Sequence, residues 1–340
     1  MTLVRSNRGQ ELDDATTLLV LGAEDIRELF DLTTAIRSQR HAFRELGAGR
    51  AQLAARLLLD GTDGAVSFCY ASRVSPADGA VTKFGSMVPE NLDAGKPVVS
   101  AIVVALDADD GHPAAILEGT SLTELRTAAA SAVAAAALAR PGASTLAVLG
   151  SGVQAQAHIR ALTHELAVES VRLFSPNRMR AEQAVAELKH GGIDVRLADD
   201  AESAVRGADI VVGCTTSASP VLRAEWVSPG ALVISVGSFA PDRHEVGGDL
   251  LARAGAVVVD HVETALEQAG PVIAAVAAGT LAGSDLISLG DVLNGRARVR
   301  GAADEVVFYN SVGVGVQDAA AAQAILAGAR SRGLGTSLAW

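Results

Sequence analysis

Aromatic residues are scarce: two Trp, two Tyr and seven Phe make up 3% of 340 residues. The interior must therefore be filled by Ala, Val, Leu and Ile, and such small side chains let helix and sheet approach closely, which suits an α/β fold. Cysteine is scarcer still. Cys69 and Cys214 stand far apart and match no metal or redox spacing, so a disulfide scaffold is excluded and a reducing compartment is expected. Positive charge is in deficit. The 28 Lys+Arg against 39 Asp+Glu leave −11 with the 7 His neutral, which argues against nucleic acid as the main partner but leaves room for a local cationic cluster around a small anion. No run is long and apolar enough for a bilayer. The longest weakly polar stretch, 127–139, is Ala-rich and bounded by Arg126 and Arg140. The N-terminal MTLVRSNRGQELDD has no apolar core of a signal peptide, so a soluble, cytoplasmic protein without membrane contact is expected. No H-x-x-x-H pair, no G-x-S-x-G elbow and no phosphate loop ending in Gly-Lys-Ser/Thr occurs, and no metal is expected. DADDGHPAAILE, 107–118, has acids at the first, third and twelfth places of a calcium loop, but its glycine falls one place early, and a hairpin turn is the expectation.

What is present is a globular composition, 49% apolar and 20% charged, in a chain long enough for two domains. Residues 1–20 are polar and expected to fray. Over 24–46 apolar residues recur at helical spacing, giving one or two amphipathic helices. Strand-like runs at 52–59, 65–71, 80–84, 98–106 and 114–118 are separated by GTDG, SPADG and DADDGHP, which reads as a mostly antiparallel sheet. The character changes at Ser121, where a helix runs to Pro141-Gly142. Strands are then expected at 145–149, 170–174, 193–197, 210–214, 231–235 and 256–260, and helices at 154–167, 178–189 and 201–206. Such alternation means a parallel, doubly wound sheet of roughly six strands. The last part, 305–330, reads as a strand and an Ala-rich helix that return to complete the first domain.

The most informative stretch is LAVLGSGVQAQAHIRAL, 146–162, a strand, then G-x-G-x-x-A, then a helix. Gly150 allows the tight turn, Gly152 lets backbone approach a pyrophosphate, and Ala155 keeps the helix close to the strand. The free N–H groups at the helix start then face the phosphates. A dinucleotide site is expected at Gly150, Ser151, Gly152, Val153 and Gln154. After the next strand the chain reads Ser175-Pro176-Asn177-Arg178, with Arg180 beyond and no carboxylate. A hydroxyl and a guanidinium suit a 2′-phosphate, so NADP(H) is expected over NAD(H), with Ser175 and Arg178 as contacts. Two further loops, with Thr215 and Thr216 in one and Val236, Gly237 and Ser238 in the other, follow parallel strands and are expected to meet ribose and nicotinamide.

Four motifs in this order, TKFGSMVPEN (82–91), LTELRTAAASA (122–132), VLGSGVQAQAH (148–158) and FYNSVGVGVQDAAAA (308–322), make the chain resemble the ornithine cyclodeaminase/μ-crystallin family over nearly its whole length. The resemblance implies a Rossmann domain, 126–304, and a second α+β domain for substrate binding and dimerisation, 1–125 with 305–340. It implies NAD(P) acting on small α-amino or α-imino acids, and a homodimer. Carried over by position, Arg56 grips the substrate carboxylate, Lys83 is the active-site lysine, Arg126 lies between cofactor and carboxylate, Val312 contacts substrate and Ser311 the nicotinamide. That set makes chemical sense, because Arg fixes a carboxylate in a plane and a lysine crowded by arginines can serve as proton donor or acceptor. One position departs from the family. Cyclodeaminases carry an acid in the loop after the fifth strand, where Phe239 stands here with Asp242 nearby. Cyclodeaminase and archaeal-type alanine dehydrogenase chemistry lose support by this, and reduction of a cyclic or linear ketimine is favoured. Two alternatives differ in kind: a cyclodeaminase that retains NAD and releases ammonia, and a non-catalytic NADPH-binding protein of the crystallin type.

Overall fold

The computed structural model describes residues 17–92 and 94–340, so the expected fraying of 1–16 and the reading of the N-terminal segment lie outside the described residues. Contacts divide the described chain into two units. Unit 1 holds the residues up to Arg126 and from Gly315 onward, and unit 2 is Thr127–Val314.

Unit 1 opens with β1 (Thr17–Leu21). Residues 17–20, expected to fray, are instead paired on both sides. Leu19–Leu21 run parallel to Ala115–Leu117, and Thr17–Val20 run antiparallel to Thr336–Ala339. Two helices follow, α1 (Ala23–Leu29) and α2 (Leu32–Gly47). Asp31 caps α2 by accepting from the Thr34 N–H, and the helix buries Ala35, Ile36, Ala42 and Phe43. The run expected as one strand at 52–59 is broken in two, β2 (Gln52–Leu53) and β3 (Leu57–Asp60), with Arg56 in the break. An antiparallel meander of β4 (Val66–Arg73), β5 (Val81–Met87), β6 (Val99–Leu106) and β7 (Pro113–Glu118) completes this part.

Strand alternation gives the meander two unlike faces. Tyr70, Lys83 and Val103 stand in register on one. Leu57, Cys69, Phe84 and Ile102 stand in register on the other, where Leu57, Phe84 and Ile102 are 66%, 51% and 47% exposed.

Helix α3 (Gly119–Leu138) begins in unit 1 and ends in unit 2. Its Ala-rich stretch from Ala128 to Ala135 is buried on all sides, so it shows none of the stripe that marks a surface helix. In unit 2, β8 (Thr145–Leu149), α4 (Val153–Glu165), β9 (Ser170–Phe174), α5 (Arg178–His190), β10 (Val195–Leu197), α6 (Ala201–Val205), β11 (Ile210–Gly213), β12 (Leu232–Ser235), α7 (Gly248–Arg253) and β13 (Ala256–Val259) follow the expected alternation. The unit continues with α8 (Val262–Gln268), α9 (Gly270–Ala277), β14 (Leu286–Ser288), α10 (Leu289–Leu293) and β15 (Val307–Asn310). All eight strands are parallel, in the order β10-β9-β8-β11-β12-β15-β13-β14. The expected six strands are therefore exceeded by β14 and β15. The order reverses between β8 and β11, and the crevice beyond the carboxyl ends of strands at such a point is where doubly wound sheets take ligands.

The strand at 307–310, expected to rejoin the first domain, belongs to the parallel sheet. Val307–Asn310 pair with Leu232–Ser235 and with Ala256–Val259, and all four residues are buried, as an interior parallel strand requires. The return into unit 1 starts at Gly315 with α11 (Gly315–Arg332) and ends in β16 (Thr336–Ala339). Helix α11 packs on α2 and across β4, β5 and β6, covering the face that bears Tyr70 and Lys83. The unit 1 sheet is then β16-β1-β7-β6-β5-β4-β2, with β3 also on β4. Gly315 makes the approach possible, since a Cβ there would lie 2.9 Å from the Ser72 Cβ and 3.1 Å from the Tyr70 ring. Among the described residues no helix is long and apolar enough to cross a membrane.

Candidate active site

In unit 1 the structure brings together three of the residues expected at the substrate. Lys83 points from β5, Arg126 from the end of the unit 1 part of α3, and Arg56 from the break between β2 and β3. They converge on Asp318 near the start of α11, a position where the helix dipole favours an anion. Lys83 Nζ lies 3.0 Å from Asp318 Oδ1 and Arg126 Nε 3.3 Å from the same oxygen. The Tyr70 hydroxyl donates to Asp318 Oδ2 at 2.8 Å, and its ring lies under the Arg56 guanidinium, 5.2 Å from the centroid. Lys83 also donates to Thr123 Oγ1, while Arg126 donates to Gln317 Oε1 at 3.1 Å.

The electrostatics follow from burial. Lys83 is 2% exposed, and desolvation pushes its ammonium down to about 8. Arg126 and Arg56 act in the same direction, and Asp318 opposes them. Burial raises Asp318, but Arg126 and Lys83 outweigh it and leave the carboxyl below its ordinary value. Burial, with Asp318 adding to it, holds the Tyr70 hydroxyl well above the ordinary phenol value, so it stays a donor. A lysine poised near neutrality beside two fixed arginines can bind a carboxylate and exchange a proton.

Sequence reasoning assigned no role to Tyr70, Thr123, Gln317 or Asp318. Asp318 had a readable mark, since it is the sole charge in Gly315–Ala329 and one of few polar groups fully buried there. Tyr70, Thr123 and Gln317 had none.

Unit 2 carries the residues expected at a cofactor. Gly150 adopts φ 117°, and a Cβ there would fall 2.4 Å from the Cys214 carbonyl oxygen, so the turn after β8 lies directly on the loop after β11. Helix α4 starts at Gly152 without a side-chain cap, and a Cβ on Gly152 would meet nothing within 4 Å. Open space therefore faces the first N–H groups of α4, a cradle that fits a pyrophosphate. Ser151 and Gln154 are half-buried beside it, and Val153 is 61% exposed. A cavity of about 270 Å³ lies at the ends of β9 and β10, lined by Phe174, Ser175, Pro176, Arg178, Leu197, Ala198 and Asp199, and fits the adenosine half.

The two remaining loops are held by a carboxylate that sequence reasoning missed. Glu245 is fully buried. Its Oε1 accepts from Thr215 N–H at 2.6 Å, and its Oε2 accepts from Gly237 N–H and from Ser235 Oγ, both at 2.7 Å. Its own N–H donates to Ser238 Oγ at 2.9 Å. Thr216 is exposed, and Val236 is buried. Ser311 lies 3.3 Å from Asp260, which also accepts from Tyr309 and from Gly313 N–H. Val312 is 7% exposed and packs in the apolar cluster of unit 2. Phe239 packs partly buried against that cluster, and Asp242 is exposed.

The chain resembles known proteins over nearly its full length. A solved Δ1-pyrroline-2-carboxylate reductase of Thermococcus litoralis, in complex with NADH and L-proline, superposes with a TM-score of 0.89 at 28% identity, covering 94% of this chain and 99% of that one. An archaeal alanine dehydrogenase dimer with bound NAD gives 0.89 at 28% identity, covering 95% and 99%. The iminosuccinate reductase of Paracoccus denitrificans in complex with NAD+ gives 0.86 at 28% identity, covering 95% and 99%. All three hold the cofactor without a 2′-phosphate, and this overturns the expectation that NADP(H) is favoured. The structure supplies a reason. Arg178, expected to meet a 2′-phosphate, lies 3.1 Å from Glu182 and 3.8 Å from Asp199, so two carboxylates crowd the one guanidinium at the cavity. A family model matches residues 17–333, and the chain belongs to the ornithine cyclodeaminase/mu-crystallin family.

Proposed function

We propose that this protein reduces the C=N bond of a small α-imino acid, cyclic or linear, using NADH. At family level it is an NAD(P)-dependent oxidoreductase acting on small amino or imino acids. The observation that carries the narrower reading is the cluster of buried Lys83 and Arg126 with half-buried Arg56 around Asp318, a cationic site for a carboxylate with a lysine able to give up a proton near neutral pH.

NADH supplies a hydride. The turn of Gly150, Ser151, Gly152, Val153 and Gln154 would hold its pyrophosphate, and Ser175 with its neighbours the adenosine. Thr215, Thr216, Val236, Gly237, Ser238 and Ser311 would meet the nicotinamide half. On the substrate side, Arg56 and Arg126 grip the carboxylate in a plane, which fixes the imine carbon next to it. Val312 lends an apolar contact. Lys83 protonates the imine nitrogen, making its carbon more electrophilic, and Asp318 holds the ammonium in place. Phe239 stands half-buried where cyclodeaminases carry an acid, and the buried Glu245 of the same loop is taken up by backbone N–H groups and Ser235, which favours reduction over cyclodeamination.

We also propose a homodimer through unit 1. Leu57, Leu59, Phe84 and Ile102 are exposed together on one sheet face, as a protein–protein contact surface would be, and the archaeal relative is a dimer.

NADH oxidation by Δ1-pyrroline-2-carboxylate, Δ1-piperideine-2-carboxylate and pyruvate with amines, alongside ammonia release from ornithine, tests the reading. Turnover of at least one imino acid is expected. Ammonia from ornithine without reduction of any imino acid overturns it.

A further inference from the structure

We propose that Tyr70 is a positioning residue for the reduction: its ring seats Arg56, and its hydroxyl turns Asp318 so that one carboxylate oxygen faces both Lys83 and Arg126. The assignment rests on the reductase reading above.

Tyr70 touches both halves of the cationic site through different atoms. The Arg56 guanidinium lies 5.2 Å from its ring centroid. Arg56 comes from the break between β2 and β3, and the flat ring beneath its guanidinium limits the plane in which the fork can meet a carboxylate. The ring itself is steadied. Phe68 stacks beside it on the same sheet face, 6.1 Å between centroids at 17°, and Gly315 lies so near that a Cβ there would fall 3.1 Å from the ring.

The hydroxyl acts separately. It donates to Asp318 Oδ2 at 2.8 Å, which leaves Oδ1 to Lys83 at 3.0 Å and to Arg126 at 3.3 Å. The charged and titratable groups facing Lys83 are Asp318 from α11, Arg126 from α3, Arg56 from the β2–β3 break and Tyr70 from β4. Without the phenol, more of the Asp318 charge rests on Oδ1. That favours the ammonium form of Lys83, so the pH above which reduction slows must rise.

Two substitutions separate the two parts. Tyr70→Phe keeps the ring and loses the hydroxyl. The KM for the imino acid should stay within about twofold of wild type, while the basic limb of the kcat profile moves up by about half a pH unit. Tyr70→Leu loses both, and KM should rise by about three- to tenfold on top of that shift. Tyr70→Met serves as a second ring-less variant should the Leu protein fold poorly, and urea unfolding of each variant reports that unit 1 is intact. A Phe variant with the wild-type pH profile overturns the hydroxyl's part. Ring-less variants with the wild-type KM overturn the ring's part.

Binding of pyrrole-2-carboxylate, a flat analogue that cannot be reduced, keeps this apart from the function itself. A wild-type protein that reduces no imino acid but binds the analogue, more weakly in the ring-less variants alone, overturns the reductase reading and leaves Tyr70's seating of Arg56 standing. A wild-type protein that binds no carboxylate overturns both.

Discussion

Lys83, Asp318 and Arg126 place three charges where water hardly reaches, with side chains 2%, 1% and 8% exposed. Desolvating each costs several kcal/mol, and the arrangement is tolerable only while the partners neutralise one another. Asp318→Asn removes the one anion and leaves two buried cations facing each other. Urea unfolding should show a loss of about 3–5 kcal/mol. The same change takes away the group that favours the Lys83 ammonium, so the lysine should titrate below about 8. The pH dependence of the wild type follows from that value. Reduction needs protonated Lys83, so kcat should be level on the acid side and fall as pH rises through about 8, while oxidation of the amino acid should rise through the same range. Lys83→Met should lower kcat by about 10²- to 10⁴-fold with NADH affinity retained. A kcat for reduction that keeps rising beyond pH 9 would remove Lys83 from the role of acid.

At the scale of elements, the turn into α4 separates two uses of glycine. At Gly152 a side chain has room and φ is ordinary, so Gly152→Val should leave stability within about 0.5 kcal/mol. Fluorescence titration should nevertheless show NADH binding at least about tenfold weaker, because the side chain fills the space before the α4 N–H groups. Equal NADH affinity would show that the cradle is not the pyrophosphate site. The unit 2 part of α3 and α4 meet at His158, which is fully buried. Its Nδ1 lies 2.7 Å from the Gln154 carbonyl oxygen and its Nε2 2.9 Å from Ser131 Oγ. Burial pushes His158 down to about 4. The unfolded chain takes up this proton near pH 6.5 and the folded chain only near 4, so stability should fall as pH drops across that window, by about 3 kcal/mol in all. His158→Gln should flatten that slope in urea unfolding. The elements most legible in the sequence are those whose pattern is local: β8, α4, β9 and α5 follow from a strand, a glycine turn and the next strand. β1 and β15 were misread because their place depends on partners far along the chain, β7 and β16 for one, β12 and β13 for the other.

For the whole molecule, the two-part organisation was legible because the spacing of apolar residues changes near Ser121, from short runs between turns to alternating strand and helix. The point of return was misplaced by ten residues, since Val307–Asn310 reads equally as an edge or an interior strand until its neighbours are known. Half of the site was legible, the basic half. Its acidic and aromatic members, Asp318 and Tyr70, are 248 residues apart and meet only because α11 lies across β4. The exposed face of unit 1 makes its own prediction: sedimentation should give a dimer, and Leu59→Asp with Phe84→Asp should give a monomer. A wild-type monomer would leave that apolar face to some other partner. In the proposed reaction hydride passes to a carbon held by the cationic site. The most direct measurement is the fate of deuterium from NADH labelled at its transferring position, with Δ1-pyrroline-2-carboxylate as acceptor. One deuterium at Cα of the product for each NADH consumed is the result expected. Ammonia from ornithine with the label still on the cofactor, and no deuterium in any amino acid, would contradict it.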